Sequence, residues 1–472
     1  MKILLVNPSQ EKVYGMKMSP AYPPLGILYV GTVLELDGHH VRFVDIDTEG
    51  LDEAGFERIF REFDPDAVGL SCVTPTFKNA VKFAGISKRI KPVPVVLGGI
   101  HATIAPEEAL QESVIDIAVV GEGESTAREL FLELSKRAPA LDLVNGICFK
   151  RGGNMVRTAM RQFIGDLDSI PFPDRKLLKN PEAYMPPDAQ TLPAMTVITS
   201  RGCPGSCTFC CTKHIFSKSF RMRSVANIIA EIEELVRRHG VREIHIADDI
   251  FTLNKKRALE FCEEIKKRKF GVGFQFMNGL RADCVDRQIL TALKEIGIKT
   301  VGFGVESGND AILKRIKKNI SLETTRNAFK LSKELGFETW AFLIFGLPGE
   351  TEDTIRETIR FTKELDPDFA KFLILKPYPG SDVHAELARE GLIMDTDYDK
   401  YGVYTEPVHK LPGLGPEKML YWQKRAFREF YLRPGKMLAH LRRIRSAQQV
   451  KLMVNGAVFA LYCMFKKDKS KR

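Results

Sequence analysis

The stretch SRGCPGSCTFC, residues 200–210, places Cys203, Cys207 and Cys210 at a C-x3-C-x2-C spacing in a loop rich in glycine and proline. The apolar run 195–199 just upstream is typical of a β-strand, so the loop leaves the carboxyl end of a strand, where α/β folds place their chemistry. Thiolates bind soft metals and iron–sulfur clusters. Four cysteines would close a cluster of four irons, whereas three would leave one iron free to bind something else.

This spacing, with an aromatic residue before the last cysteine, resembles the signature of the radical S-adenosylmethionine (SAM) enzymes. The resemblance implies that the three cysteines ligate a 4Fe–4S cluster and that Phe209 lies against the adenine side of SAM. In that family the open iron chelates SAM, and an electron from the cluster cleaves SAM to a 5′-deoxyadenosyl radical. Two alternatives are three buried, inert cysteines and a zinc site that uses Cys211 or His214 as a further ligand.

Length and cysteine usage bound the class of protein. A chain of 472 residues is too long for one ordinary core and predicts two or three domains. Of nine cysteines, six are scattered singly, which fits a reducing cytosol better than a disulfide framework. The run 1–8 is too short for a signal peptide and has no cleavage site, so we interpret it as a first strand and expect a cytoplasmic protein.

Residues 1–137 alternate apolar strands with helical patterns, which predicts five βα units of a doubly wound, flavodoxin-like parallel sheet. The predicted strands are 3–6, 41–44, 67–70, 93–97 and 115–120. The loops after these strands are rich in glycine and hydroxyl groups, so a ligand could approach the backbone closely there. No G-x-G-x-x-G follows the first strand, and a dinucleotide site is therefore disfavoured.

Together with Pro23-Pro24-Leu25-Gly26 and Gly38-His39-His40-Val41, these loops resemble the cobalamin-binding domain that precedes many radical SAM domains. The resemblance implies cobalamin contacts from the loop residues Ser9, Ser71, Thr74, Thr76, Gly98, Gly99, Gly121, Glu122 and Gly123. The D-x-H-x-x-G pattern, whose histidine ligates cobalt in other cobalamin proteins, is absent. We therefore expect no protein histidine below cobalt and interpret His101 as a packing residue. The alternative is a flavodoxin-like domain without a ligand.

Residues 138–193 form a predicted connector, with a hairpin turn at Gly152-Gly153 and a proline-rich linker after it. Six further βα units occupy residues 194–394, with predicted strands at 195–199, 243–247, 273–277, 300–305, 339–345 and 369–375. Six parallel units predict an incomplete TIM-like barrel that is open on one side for a large substrate. The radical SAM family has this partial barrel.

Polar residues follow the barrel strands where the family binds SAM. The resemblance implies SAM contacts from Asp248, Asp249, Arg281, Glu306, Ser307 and Gly346. Asp248 or Asp249 would meet the amino group of SAM, because a carboxylate suits an ammonium, although the pair departs from the Gly-Gly-Glu form common in the family. Glu306 would meet the ribose, and Arg281 the SAM carboxylate or a substrate anion. An Asp-Asp pair alone usually caps a helix, so it is the joint placement after consecutive strands that favours SAM.

The net charge of +10 is concentrated in the last part of the chain, predicted to be a basic helical region over residues 395–472. Residues 417–472 contain fifteen Lys or Arg against three Asp or Glu, so they carry +12 and the rest of the chain carries −2. No recognition fold accompanies this charge, and we expect no nucleic-acid partner.

Two segments of this region are amphipathic or apolar. Residues 417–431 are predicted to form a basic amphipathic helix. Further on, an apolar run at 452–465 follows Arg442, Arg443 and Arg445. Fourteen residues fall short of the ~20 that span a bilayer. The region could lie on an anionic membrane surface, or it could be a packing helix that caps the open barrel, which we favour.

The combined architecture resembles the cobalamin-dependent radical SAM enzymes over most of the chain to about residue 390. The resemblance implies C-methylation of an unactivated carbon, in which a carbon radical takes a methyl group held on cobalamin. A non-methylating cyclisation or ring rearrangement, as in the anaerobic magnesium-protoporphyrin ester cyclases, is the alternative. A corrinoid-binding sensor is disfavoured because sensing needs no cluster. The expected partners are a small-molecule, lipid or tetrapyrrole-like substrate and an electron donor such as ferredoxin or flavodoxin.

Overall fold

The computed structural model describes residues 1–14, 21–186, 189–442 and 458. The first sheet has seven strands in the order β2-β1-β3-β4-β5-β6-β7. They are β1 (Lys2–Asn7), β2 (His40–Asp45), β3 (Ala67–Ser71), β4 (Val95–Gly98), β5 (Ile117–Val119), β6 (Ile147–Arg151) and β7 (Asn154–Arg157). The first five strands are parallel, which confirms the predicted doubly wound sheet.

The first strand shows why these segments are continuous apolar runs. Ile3 and Leu5 pack with helices on one face of the sheet, and Leu4 and Val6 pack with helices on the other. A parallel strand that is buried on both faces has no solvent side to carry polar residues. The helices of this half are α1 (Glu11–Tyr14), α2 (Leu25–Leu36), α3 (Glu53–Phe63), α4 (Phe77–Ile90), α5 (Ile100–Ile104), α6 (Pro106–Ala109) and α7 (Gly123–Leu134).

The hairpin predicted in the connector forms and extends the first sheet. Strand β6 pairs antiparallel with β5, with Ile117 opposite Phe149 and Val119 opposite Ile147. Strand β7 then pairs antiparallel with β6. The sheet therefore continues past residue 137, because the backbone of β6 pairs with an edge of β5 that would otherwise be open.

The second half is the predicted partial barrel. Its strands are β8 (Ala194–Val197), β9 (Ser200–Arg201), β10 (Arg221–Met222), β11 (Glu243–Ile246), β12 (Gly273–Phe276), β13 (Thr300–Glu306), β14 (Glu338–Phe345) and β15 (Phe369–Ile374). Two parallel sheets, β8-β11-β12 and β13-β14-β15, adjoin where the backbone N–H of Leu280 donates to the carbonyl of Gly302 at 2.7 Å. Strands β9 and β10 form a short antiparallel ribbon at the base of the cysteine loop.

The helices of the barrel lie between its strands. They are α8 (Thr212–Ile215), α9 (Val225–His239), α10 (Lys255–Arg268), α11 (Arg287–Glu295), α12 (Asp310–Arg315), α13 (Leu322–Glu334), α14 (Glu352–Leu365) and α15 (Asp382–Arg389). Their buried apolar residues join those of the strands in one core.

Two helices close the chain that the structure describes, α16 (Pro416–Tyr431) and α17 (Pro434–Arg442). The Tyr431 hydroxyl accepts from the backbone N–H of Ala370 at 3.0 Å and donates to its carbonyl at 2.9 Å. Gln423 donates to the carbonyl of Phe372 at 2.8 Å, and Trp422 is buried. Helix α16 thus packs on the edge of β15 that does not pair with β14. This agrees with the favoured prediction that the basic region packs on the open barrel.

The predicted apolar run 452–465 lies outside the described residues, apart from Val458, and Arg443 and Arg445 lie outside them as well. Among the residues that the structure describes, no helix is both long and apolar enough to cross a bilayer.

A segment without regular strands or long helices, residues 391–414, links the barrel back to the first sheet. Tyr398 donates to Glu108 at 2.7 Å, Lys78 pairs with Asp397 at 2.7 Å, and the N–H of Val403 donates to the carbonyl of Val13 at 2.7 Å. The helical part of the carboxyl-terminal region therefore begins at Pro416, after this connecting segment.

Candidate functional site

The cysteine loop is anchored at its base and in its middle. Gly202 has a φ of +92°, and a Cβ there would lie 2.2 Å from the carbonyl oxygen of Ser219, so only glycine fits. The N–H of Thr208 donates to the carbonyl of Ile316 at 3.0 Å, and the N–H of Val383 donates to the carbonyl of Thr208 at 3.0 Å. The loop is therefore held in place by α12 and α15 as well as by the β9–β10 ribbon.

The three cysteines of the signature are half-buried on this loop. Burial raises the pKa of Cys203 and of Cys207, and the ammonium of Lys318 opposes burial at Cys207. The N–H of Gly205 donates to the sulfur of Cys203 at 3.4 Å. Donors and positive charge around thiols that are otherwise desolvated suit an iron–sulfur cluster, which holds its cysteines as thiolates.

The zinc alternative has no preformed ligand set. Among the described residues, no three His, Cys, Asp or Glu side chains are grouped so that they could hold one metal ion. Cys211 lies 3.5 Å from the carbonyl of Pro379, and burial raises its pKa to about 12. A cluster does not need such a group, because each thiolate binds a different iron.

The two adjacent carboxylates after β11 have different surroundings. Asp248 is buried, accepts from the N–H of Thr199 at 2.6 Å, and lies 3.5 Å from the guanidinium of Arg257. Asp249 is only half-buried and accepts from Thr212 at 3.4 Å. Burial and the nearby Asp248 charge raise the pKa of Asp249 to about 6. Asp248 is thus engaged inside the protein, whereas Asp249, whose charge acts on Cys203, is the less buried of the two. The contact of either carboxylate with SAM stays a prediction.

Glu306 ends β13 in an unusual conformation. Its φ is +60°, and the register with β14 shifts between Gly304 and Glu306. The buried Lys318 ammonium lies 2.8 Å from Oε1 of Glu306. A left-handed non-glycine residue at a bulge commonly marks a functional site, because the bulge re-aims the side chain.

The segment after β14 joins Gly346 to two buried ionisable residues. Gly346 has a φ of +81°, its N–H donates to Glu350 at 2.5 Å, and its carbonyl accepts from Nε2 of His409 at 2.8 Å. Burial raises the pKa of Glu350 to about 8 and lowers that of His409 to about 4. Neither residue was singled out from the sequence. Glu350 reaches Gly346 through a local turn, whereas His409 reaches it only through a contact between residues 63 apart in the chain.

The remaining residues expected at SAM have mixed surroundings. Arg281 is paired with Asp283 at 2.7 Å and lies beside the cysteine loop near Gly205. Ser307 is buried, and its hydroxyl lies 3.2 Å from that of Thr358 on α14. Phe209 is half-buried and packs against the barrel core. The SAM contacts of these three residues stay predictions.

All six glycines and serines expected at cobalamin form a partly open edge of the first sheet. The residues with exposed or half-buried surface are Ser9, Ser71, Gly98, Gly99, Gly121 and Gly123. Gly99 has a φ of +92°, and a Cβ there would lie 2.7 Å from the carbonyl of Cys72. Gly121 has a φ of +88° and open space where a Cβ would sit. Such an edge fits a corrinoid, because backbone without side chains lets a flat macrocycle approach closely.

Three other residues expected at cobalamin are buried and already hydrogen-bonded: Thr74, Thr76 and Glu122. The Thr76 hydroxyl is bonded to the backbone of Val73 at 3.1 Å. Thr74 lies 3.3 Å from Nδ1 of His101, and Glu122 accepts from the N–H of Ile164 at 2.8 Å. Their assignment to cobalamin stays a prediction.

His101 packs as expected. Its ring is buried, with the Phe77 ring centroid at 4.2 Å and that of Tyr398 at 5.1 Å. Burial lowers the pKa of His101 to about 4.

Sequence reasoning missed a buried ionic network that joins the two halves of the protein. Arg201, two residues before the first cysteine, pairs with Glu122 at 2.8 Å and with Glu124 at 2.5 Å. Arg221, its partner in the β9–β10 ribbon, pairs with Glu122 at 2.9 Å. The N–H of Ile164 also donates to Glu122 at 2.8 Å. The only signal in the sequence was the placement of Arg201, Glu122 and Glu124 beside glycines in the two candidate loops, and Arg221 had no such signal.

A thiol loop at the carboxyl end of a partial barrel, joined to the glycine-rich edge of a parallel sheet, defines a two-domain enzyme with an iron–sulfur site and a second cofactor site. Comparisons with known proteins agree. A sequence model of the radical SAM superfamily matches residues 197–362, and one of the B12 binding domain matches residues 11–131.

Two relatives extend the similarity over most of the chain. An uncharacterised methyltransferase of Pyrococcus horikoshii is 36% identical over 436 residues, which cover 92% of this chain and 93% of the relative. The anaerobic magnesium-protoporphyrin IX monomethyl ester cyclase of Rubrivivax gelatinosus is 30% identical over 440 residues, which cover 92% and 78%.

Solved structures share the fold. The radical SAM methyltransferase TsrM from Kitasatospora setae superposes with a TM-score of 0.70 at 21% identity, over 82% of this chain and 78% of that one. The cobalamin-dependent radical enzyme OxsB gives 0.77 at 19% identity, over 98% and 72%. The chain belongs to the cobalamin-dependent radical SAM family, and it is an enzyme whose relatives include methyltransferases. Its cofactors are a 4Fe–4S cluster, SAM and cobalamin, as predicted.

Proposed function

We propose that this enzyme C-methylates an unactivated carbon of a small-molecule substrate. The observation that carries the proposal is that the glycine-rich edge of the first sheet lies close to the cysteine loop. Helix α5, which follows Gly98 and Gly99, contacts α8, which follows the cysteine loop. A substrate between them would meet both sides at once, and holding reactants together in this way removes much of the entropic barrier to reaction.

The chain contributes binding and orientation, while bound SAM with the cluster supplies a carbon radical and cobalamin supplies a methyl group. Cys203, Cys207 and Cys210 would hold the cluster. Asp249 would take the ammonium of SAM, and Glu306, held by Lys318, would accept from the ribose hydroxyls.

The other contacts follow from the same placement. Arg281 would meet the SAM carboxylate, and the backbone at Gly346 would pack on adenine. The open glycines of the first sheet would carry the corrinoid. The connecting segment 391–414, which contacts both halves, would exclude water from the space between them.

Anaerobic purification and reconstitution test this proposal. We expect about four irons per chain, a corrinoid absorbance spectrum, and 5′-deoxyadenosine when SAM and a reductant are added. Cys207→Ala should lose most of the iron, and the matched variant Cys211→Ala should keep it. A Cys207→Ala protein that holds its full iron and still cleaves SAM would overturn the proposal.

A non-methylating reaction is a second candidate, favoured by the 30% identity to the magnesium-protoporphyrin ester cyclase. Incubation of the enzyme with SAM labelled in its methyl group and a small-molecule extract separates the two. Label in the product supports methylation, whereas a changed product without label supports cyclisation or rearrangement.

We also propose a cytoplasmic location with peripheral membrane contact. Packing on the barrel accounts for α16, and the membrane contact is proposed for residues 443–472 alone, whose sequence is basic and partly apolar. Co-sedimentation with anionic vesicles at low salt tests the contact. A truncation after residue 442 should abolish sedimentation, and a full-length protein that stays in the supernatant contradicts the proposal.

A further inference from the structure

A basic surface borders the cysteine loop, outside the residues that would hold the cluster, SAM and cobalamin. It consists of six side chains from two segments, 213–218 and 314–317, and we name it the basic rim: Lys213, His214, Lys218, Lys314, Arg315 and Lys317. The first segment follows the cysteines directly, and the second ends α12.

The folded chain brings these two segments together at the loop. The hydrogen bond from the Thr208 N–H to the Ile316 carbonyl, 3.0 Å long, places the second segment against the cysteines. Lys218 lies 3.2 Å from the hydroxyl of Ser206, inside the loop itself. Pro204, two residues before Ser206, is exposed. The cysteine loop therefore reaches the protein surface beside these cations.

The cations also meet around a single carboxylate. Asp382, the first residue of α15, accepts from Lys213, and the charges of Lys213, Lys317 and His214 all lower its pKa. Arg315 pairs with Glu386 one helical turn further on, at 2.7 Å. The two segments therefore share one surface.

The rim keeps a surplus of positive charge. Lys213 and Arg315 have acidic partners, whereas exposed Lys314 and Lys317 form no ion pair with any described residue. Residues 1–416 together carry a net charge of −2, so the positive charge of the rim is a local feature and not a property of the whole surface. An excess of one sign beside a redox site steers partners of the opposite sign towards it.

We propose that the basic rim docks a small acidic electron-carrier protein that reduces the cluster, an inference that rests on the proposed function. One electron leaves the reduced carrier and one electron enters the cluster, so the exchange is balanced without a further reactant. Such encounters use small, transient interfaces, and exposed charges make them sensitive to salt.

Charge reversal tests the docking. In Lys314→Glu/Lys317→Glu, the affinity of the reconstituted enzyme for reduced flavodoxin, measured by calorimetry at low salt, should fall about tenfold or more, and the salt dependence should flatten. The matched control is Lys299→Glu/Lys330→Glu, which makes the same change in net charge at exposed lysines without ion pairs among the described residues, before β13 and on α13. It should bind flavodoxin as the unmodified enzyme does.

Two further readouts separate this inference from the proposed function. With reduced methyl viologen, a small cation, as the electron source, the rim variant should cleave SAM at the unmodified rate and hold its full iron. Equal flavodoxin affinity in the rim variant and the control would overturn the docking and leave the proposed function intact. An unmodified enzyme that binds no cluster would instead overturn the proposed function, and the docking with it.

Discussion

The guanidinium of Arg201 lies 2.8 Å from the carboxylate of Glu122, although 79 residues separate them in the chain. Arg201 directly precedes the turn into the cysteine loop, and Glu122 directly follows one of the open glycines of the first sheet. With buried Glu124 and half-buried Arg221, the pair forms a network of two acids and two bases. The network holds the cluster side and the cobalamin side of the protein at a set separation.

Glu122→Gln should lower the free energy of unfolding by about 3–5 kcal/mol, because the buried guanidinium of Arg201 and the half-buried one of Arg221 lose a compensating charge. Urea denaturation measures the change. The control is Glu364→Gln, whose partner Arg326 is exposed, and it should cost at most about 1 kcal/mol. Equal costs in the two variants would mean that the buried network does not stabilise the junction.

Asp248→Asn and Asp249→Asn should separate stability from SAM binding. Asp248→Asn should lower the free energy of unfolding by about 3 kcal/mol, because it places an amide among the donors that surround the carboxylate. Asp249→Asn should not lower it, since burial already disfavours the ionised form. It should instead weaken SAM binding about tenfold, measured by calorimetry on the reconstituted enzyme. The opposite pattern would exchange the roles of the two residues.

Glu350 should make stability depend on pH near neutrality. Its pKa is raised by burial to about 8 in the folded state, so the folded protein binds a proton that the unfolded chain releases near its ordinary pKa of 4.5. The resulting stability is fully present below about 4.5 and is lost as the pH rises through 8. In Glu350→Gln, the fall in unfolding free energy between pH 5 and 8 should be smaller by a few kcal/mol. Glu323→Gln, at an exposed position, should follow the unmodified profile, and parallel profiles for all three proteins would contradict this role for Glu350.

Tyr431→Phe should weaken the closure of the barrel by α16. The phenol bonds both backbone groups of Ala370 on the edge strand β15, and its loss leaves them without that partner. We expect a decrease of about 1–2 kcal/mol in the free energy of unfolding, measured by urea denaturation. Tyr421→Phe, at an exposed tyrosine of the same helix, should change it by less than about 0.5 kcal/mol. A similar loss in both variants would show that the hydroxyl of Tyr431 is not what closes the edge.

The fold was largely predictable because buried parallel strands are continuous apolar runs. The predicted strand 300–305 is observed as Thr300–Glu306, and the predicted strand 369–375 as Phe369–Ile374. The cysteine loop was predictable for a related reason, since its spacing and its glycines are local in sequence. The connecting segment 391–414 was not, because it has no periodicity and its order depends on contacts with both halves.

The sequence by itself determined the two domains, the partial barrel and the three thiols, because hydrophobic periodicity and ligand spacing are short-range properties of the chain. Only the tertiary structure decided that Asp248 is buried among donors while Asp249 keeps exposed surface, and that Glu122 ties the two halves together through Arg201. These outcomes depend on burial and on pairing between residues far apart in the chain, and neither can be read from neighbouring residues.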